Sequence, residues 1–151
     1  MQTYHSQNLN DTKAIGETLF KQLELPACVY LLGGMGVGKT SLCQAIIQAA
    51  GYAEAVTSPT YNLIQEYTVD SCTIYHMDLY RLQDPAEIEY LGLDDLWHSK
   101  SLFLIEWPNN GEGFLRKADF TISISQEGGN GQTSAASDSR LITFENSKKI
   151  A

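Results

Sequence analysis

Three features are scarce in this chain of 151 residues. No apolar run approaches the roughly 20 residues that a membrane-spanning helix needs. The opening MQTYHSQNLNDT is polar and lacks the apolar core of a secretion signal. A cytoplasmic protein with no membrane association is therefore expected. Cysteine is sparse too. Cys28, Cys43 and Cys72 stand far apart and form no CxxC pair, which argues against metal binding and redox chemistry and for reduced, mostly buried thiols. For Cys72, close to an expected turn, the sequence argues burial least strongly. Positive charge is the third shortage: 10 Lys and Arg stand against 18 Asp and Glu, a net charge of −8. Such a surface repels phosphate backbones and makes a direct grip on nucleic acid unfavourable. Any polyanion bound here should be small, its charge offset by a lysine and a metal ion.

What is present suits one domain over residues 1–151. The hydrophobic fraction is 43%, enough for a core. Residues 8–25 carry helical periodicity through Ile15, Leu19 and Leu23, with Asn8 as cap and Asp11 in the first turn. Pro26 breaks that pattern, and CVYLLG then reads as a buried strand. A helix is expected from Lys39 to Ala50, ended by Gly51. YNLIQEYTV and CTIYHMDLY suit two strands joined by a tight hairpin at Asp70 and Ser71. DPAEIEYLGL opens like a helix, with Asp84 as cap, Pro85 at the first position and Glu87 completing a capping box. SLFLIEW, DFTISI and RLITFE read as further strands. The Gly/Ser/Asn-rich stretch 126–139 reads as a mobile surface loop, and residues 146–151 as a tail. Interleaved helices and strands favour an α/β layered fold.

The densest chemical signal is LLGGMGVGKTSL, which starts at Leu31. Gly33, Gly38, Lys39 and Thr40 match the Walker A pattern G-x-x-x-x-G-K-S/T, with a strand before it and a helix after it. Glycines let the backbone wrap a phosphate closely with its N–H groups pointing inward. The helix N-terminus adds partial positive charge at the same place. Gly33, Gly34, Met35, Gly36, Val37, Gly38, Lys39, Thr40 and Ser41 are thus the expected nucleotide cradle. Lys39 is expected on the β- and γ-phosphates, and the Thr40 hydroxyl on Mg²⁺.

Phosphoryl transfer also needs a carboxylate near the metal. Two acids close apolar strands: Asp78 after CTIYHM and Glu106 after SLFLI, the latter in the form of a Walker B strand. Either would hold Mg²⁺ or orient an attacking water. No N-K-x-D guanine-reading motif occurs, and no D-x-x-G follows a plausible switch strand. Both absences favour ATP over GTP.

With these motifs placed, the chain resembles the bacterial TsaE (YjeE) family, small P-loop ATPases of tRNA threonylcarbamoyladenosine biosynthesis. LLGGMGVGKTSL is similar to the family's GDLGAGKTT loop. VTSPTYNLIQEY, YHMDLYRLQDPAEIEYLGLDD and LFLIEWPNNGEGFLRKAD resemble the family blocks around SPTY, the HMDLYRL segment and EWP. Together they span about Val29 to Asp119. Gly34, Met35 and Val37 depart from the commoner Asp, Leu and Ala, Thr57 stands where Lys is common, and Asn109 and Asn110 stand where Glu or Gln is frequent.

The resemblance implies a P-loop NTPase-like three-layer sandwich with a mostly parallel central sheet and antiparallel additions. It implies ATP/ADP and Mg²⁺ as cofactors, and Lys39, Asp78 and Glu106 as the catalytic set. Thr40 and Glu106 become the metal-side residues. Ser58, Thr60 and Tyr61 take the place of a nucleotide-sensing switch, and Trp107 joins them as a switch or partner-facing residue, with a core aromatic as the competing reading. His76 falls in a matched block, either functional or structural. The adenine-facing surface is expected around Asn8 to Thr12, with Arg140 approaching from the last strand. The implied partners are the TsaD and TsaB proteins of the transferase that modifies adenosine 37 in tRNAs reading codons that begin with A, with tRNA met only indirectly. A small-molecule kinase and a nucleotide-dependent binding module with negligible turnover remain as alternatives.

Overall fold

The computed structural model describes residues 1–57, 59, 63–127 and 139–147. Seven strands form one sheet in the order β1-β7-β6-β2-β5-β4-β3. They are β1 (Gln2–Ser6), β2 (Ala27–Leu32), β3 (Ile64–Thr68), β4 (Thr73–Asp78), β5 (Ser101–Glu106), β6 (Phe120–Gln126) and β7 (Arg140–Asn146). The inner four, β6-β2-β5-β4, run parallel, while the pairings β3–β4 at one edge and β6–β7 and β7–β1 at the other are antiparallel. This is the mostly parallel core with antiparallel additions that the resemblance implied.

Alternation along the strands sorts side chains onto two faces. Ala27, Val29 and Leu31 of β2 and Leu102 and Leu104 of β5 pack with helices α1 (Leu9–Gln22) and α2 (Lys39–Ala49). Cys28, Tyr75, Met77, Phe103 and Ile105 face the other way. They meet a thinner layer built from the 3₁₀ helix Pro85–Leu91, the short α3 (Leu93–Leu96) and the 3₁₀ turn Pro108–Gly111. Every residue of β5 is buried, as its apolar run predicts for a central strand covered on both faces. The two helices meet closely at Gly16, where a Cβ would stand 2.6 Å from that of Ala45.

Several expectations need correction. β1 lies in the segment read as merely polar. It is an edge strand with mostly exposed residues, so no apolar alternation marks it, and its pairing with β7 makes it a strand. The first helix ends at Gln22 rather than near Leu25. Residues 85–91 form a 3₁₀ helix rather than an α-helix. Asp84 does cap it, accepting from the Ala86 N–H, but it is stopped by Gly92 in left-handed conformation and buries only Ile88. Seven residues with one core anchor gain little from the α-helical period. The thiols need no correction: Cys28, Cys43 and Cys72 are buried and free, as read. The loop assigned to 126–139 starts later, since Gln126 still pairs with Arg140. Residues 128–138, and 148–151 of the expected tail, lie outside the described residues. The hairpin turn is as read, closed by the Val69 N–H donating to the Cys72 carbonyl. No described helix is long and apolar enough to cross a membrane.

Candidate functional site

The site is built at the carboxyl ends of the parallel strands, where α/β sheets place their ligand crevices. The Walker A loop leaves β2 there. Gly33 has φ 151°, and a Cβ on it would stand 2.6 Å from the Ile124 carbonyl oxygen of β6. Only glycine lets the loop start so close to the neighbouring strand. Gly38, left-handed at φ 105°, caps α2 and offers no side-chain bond to its first turn, which holds no acidic residue. The N–H groups of that turn are left for an anion.

Lys39 is nearly buried. Its Nζ donates to the Gly33 carbonyl at 2.7 Å and sits 3.5 Å from the centre of the Trp107 ring. Burial lowers its pKa, and Glu106 and Asp78 work in the opposite direction. Its head therefore closes back over the glycine loop. Gly34, Met35 and Gly36 form the exposed tip of that loop. The carbonyl of Val37 accepts from Arg140 Nε at 2.9 Å, so the first residue of β7 braces the loop from the side.

Strand parity places His76, Asp78 and Glu106 on the α2 face, and register sets Asp78 beside Glu106. Glu106 is 2% exposed. Both its carboxylate oxygens lie 3.1 Å from Thr40 Oγ1, which donates to them, and Oε2 is 2.6 Å from His76 Nε2. Asp78 is half-buried and accepts from the Tyr80 N–H at 3.0 Å. Burial raises its pKa, the Tyr80 hydrogen bond lowers it, and Glu106 raises it further. Two carboxylates are thus held side by side and next to the Walker A hydroxyl, with one of them reluctant to ionise. That donor set, all oxygen, fits a hard divalent cation.

Trp107 is neither simply core nor simply rim. β5 ends at Glu106, and Trp107 takes a left-handed conformation, φ 56°. This turn brings the indole over Lys39 and against Tyr80, ring centres 5.0 Å apart, while part of it packs on the apolar cluster beneath. Non-glycine residues rarely adopt such a backbone, and it is characteristic of functional positions.

Two cavities flank the loop. One, of about 350 Å³, is lined by the loop tip, Lys39, Thr40, Asp78, Tyr80, Glu106 and Trp107. The other, of about 370 Å³, is walled by Ser6, Asn8, Leu9, Thr12, Val37, Ile124, Arg140 and Ile142. Gly38 and Ser41 border both, so the two meet at the start of α2. The Asn8 to Thr12 segment and Arg140 thus come together in one wall. Asn8 Oδ1 is itself engaged, accepting from the Asp11 N–H at 2.8 Å.

Of the expected switch residues, Ser58, Thr60 and Tyr61 lie outside the described residues. The stretch before them is tied down by the Val56 carbonyl, which accepts from Gln44, and the Thr57 carbonyl, which accepts from Tyr67. Sequence reading left out Tyr80, whose N–H and ring serve Asp78 and Trp107. It also left out the second cavity's apolar walls from β6 and β7. Tyr80 had a signal, two residues beyond a strand-end acid; the walls had none, since they come from distant segments.

A model of the family described as threonylcarbamoyl adenosine biosynthesis protein TsaE matches residues 6–134. This chain belongs to the TsaE family. It is 43% identical over 113 residues to the TsaE protein of Haemophilus influenzae, covering 74% of this chain and 72% of that one. It is 33% identical over 141 residues to TsaE of Bacillus subtilis, covering 93% and 83%. Its fold matches the crystal structure of Bacillus subtilis YdiB with a TM-score of 0.71 at 27% identity, over 96% of this chain and 84% of that one. The TsaE family acts in tRNA threonylcarbamoyladenosine biosynthesis, and its fold is the P-loop α/β fold.

Proposed function

We propose that this TsaE-family protein is a Mg²⁺-dependent ATPase that serves the TsaD–TsaB transferase assembly in threonylcarbamoyl modification of adenosine 37, in the cytoplasm, meeting tRNA only indirectly. One observation carries the reading. The Walker A Thr40 hydroxyl bonds a buried strand-end carboxylate, Glu106, beside a second one, Asp78, and all three open on the cavity that Lys39 enters.

In this reading the phosphates occupy the polar cavity and the nucleoside the flanking one, with Arg140 and the Asn8 to Thr12 segment beside it. Lys39 exchanges the Gly33 carbonyl and the Trp107 face for phosphate oxygens, a stronger partner for an ammonium in a partly dehydrated site. Thr40 and Glu106 would hold Mg²⁺, which supplies charge neutralisation on the phosphate oxygens. Asp78, kept at raised pKa, accepts the proton of the attacking water. Ser58, Thr60, Tyr61 and Trp107 report the nucleotide state to the partner, through contacts made and lost with the γ-phosphate.

The test is ATP turnover with and without the purified transferase assembly, in Mg²⁺ and in EDTA. Turnover that needs Mg²⁺ and rises with the assembly supports the reading. Turnover with no dependence on either refutes it. Phosphate transferred from ATP to a small metabolite would point to a kinase instead.

A further inference from the structure

Beneath Glu106 the fold collects three different metal-ligating chemistries. Cys43 Sγ, a His76 ring nitrogen and a Glu106 carboxylate oxygen all lie within 4.8 Å of one another, and all three residues are buried. Among the described residues this is the one such grouping of His, Cys, Asp and Glu. The sequence argued against metal binding because no second cysteine stands near any other. Topology supplies the missing ligands. Cys43 follows Lys39 by four residues on α2, one helical turn, which sets it under the P-loop. His76 and Glu106 project from adjacent strands toward the same helix.

A second observation bears on this place independently. His76 is fully buried, its Nε2 meets Glu106 Oε2 at 2.6 Å, and its Nδ1 has no hydrogen-bond partner among the described residues. Buried polar atoms are seldom left so, and a buried imidazole with one idle nitrogen is a ligand as readily as a structural residue.

We propose that Cys43, His76 and Glu106 form a site for a soft divalent cation of the Zn²⁺ class, and that its occupation draws Glu106 away from Thr40 and silences the nucleotide site. Sulfur, nitrogen and oxygen together are a zinc donor set, three ligands with a fourth position left open. Mg²⁺ prefers oxygen alone and discriminates against such a set. The site therefore separates the two cations by chemistry, although they share one carboxylate. Of the three, Glu106 alone lines the cavity beside the loop, and Cys43 and His76 lie behind it. The Cys43 thiol loses its proton to solvent as the sulfur–metal bond forms. Burial and the nearby carboxylates hold that thiol protonated in the free protein, so binding is weaker than at a preformed thiolate. The binding half of this proposal stands without the ATPase reading; the inhibitory half rests on it.

The experiment uses the full chain without nucleotide, Co²⁺ as a spectroscopic probe, and Zn²⁺ in competition with a chromophoric chelator. The expected result is a thiolate-to-cobalt charge-transfer band that saturates at one equivalent and is abolished by Zn²⁺. Cys43→Ser and Cys43→Ala should both lose the band and bind Zn²⁺ at least tenfold more weakly. Zn²⁺ should inhibit ATP hydrolysis by the wild type in excess Mg²⁺ and spare both variants. Two variants are used so that a folding defect in one leaves the other to decide, with melting curves for both. Absence of the band in the wild type, or Zn²⁺ affinity unchanged in the variants, overturns the site. A band together with hydrolysis unaffected by Zn²⁺ overturns the inhibitory role. If the wild type shows no hydrolysis even with its partners, the ATPase reading fails, while the band still decides the site.

Discussion

The two cavities beside the P-loop are similar in size and differ in the charge they carry. The one toward β4 and β5 is lined by Lys39, Asp78 and Glu106, with Thr40, Tyr80 and Trp107 completing it. Among the described residues, the one toward β6 and β7 has Arg140 as its single charged side chain, between the apolar Leu9, Val37, Ile124 and Ile142 and the uncharged polar Ser6, Asn8 and Thr12. The difference follows from what each can hold. Buried charges persist only where they pair or meet a ligand, and the first cavity keeps a lysine and two carboxylates within reach of one another. The second is walled by ordinary strand and helix residues and suits an uncharged ring. Substitutions in the first should therefore change chemistry, and substitutions in the second should change affinity alone.

The sharpest test of that division is at Thr40 and Glu106. Thr40→Ala and Glu106→Gln should each lower partner-stimulated turnover by about 10²–10³-fold, the range for removing one group that acts on developing charge. Nucleotide affinity should change far less. Steady-state hydrolysis beside a fluorescent-nucleotide titration reads both, and normal turnover in either variant would remove that residue from the site.

Lys39→Ala comes next. It forfeits two or more charge-assisted phosphate contacts at about 1.5–3 kcal/mol each, so ATP should bind roughly 100-fold more weakly or worse. The fold should survive, because the lysine head packs on the loop and the Trp107 ring rather than inside the core. Calorimetric titration of ATP into the variant, with a melting curve, checks both points.

Across the loop, Arg140→Ala should weaken nucleotide binding by about tenfold, the worth of one charged hydrogen bond, and leave turnover at saturating ATP intact. Arg140→Lys should not restore it, since the guanidinium reaches the Val37 carbonyl through Nε and an ammonium lacks that planar geometry. A fall in saturated turnover would break the comparison, because it would make this cavity part of the chemistry.

Trp107→Ala should retain ATP binding within about threefold and lose some stability. The cation–π contact with Lys39 is worth about 0.5–2 kcal/mol, which corresponds to a drop in melting temperature of about 1–8 °C for a domain of this size. Partner-dependent tRNA modification should fall much further. A variant that melts far lower and loses ATP binding with activity would make Trp107 a core residue.

The smallest effect is on stability, at Asp78, whose substitution should cost turnover as well. Its folded-state pKa is raised mainly by burial, above an ordinary value of 3.8. Below that value both states are protonated and nothing is lost. As pH rises from 3.8 through the raised folded value, the unfolded chain ionises first and the native state is penalised. Asp78→Asn removes the penalty and keeps an acceptor for the Tyr80 N–H. The nucleotide-free variant should melt slightly higher than wild type at pH 7, and the gain should vanish toward pH 4. An equal gain at both pH values would show that ionisation is not its cause.

Legibility divides along the same line as the two cavities. The Walker A loop could be read because its parts are contiguous: the phosphate-binding geometry needs glycines, a lysine and a hydroxyl at set offsets, and offsets survive in a string. Asp78 and Glu106 stood out because each ends an apolar strand in a chain that carries a Walker A loop; alone, a strand-end acid is as readily a surface carboxylate. β1 could not be read, since Gln2–Ser6 is a strand only by virtue of its partner.

The sequence by itself determined the strand–loop–helix that would cradle a phosphate, the two strand-end acids and the acidic, cysteine-poor character of the chain, because each depends on residues close together along the backbone. Tertiary structure alone decided the rest. It paired Asp78 with Glu106 by strand register and set Arg140 against Val37, 103 residues away. It turned Trp107 over Lys39 by one left-handed residue, and it placed Cys43 and His76 under the same carboxylate. Each of these contacts depends on how a sheet orders its strands and where a helix crosses it, and neither is encoded at any single position.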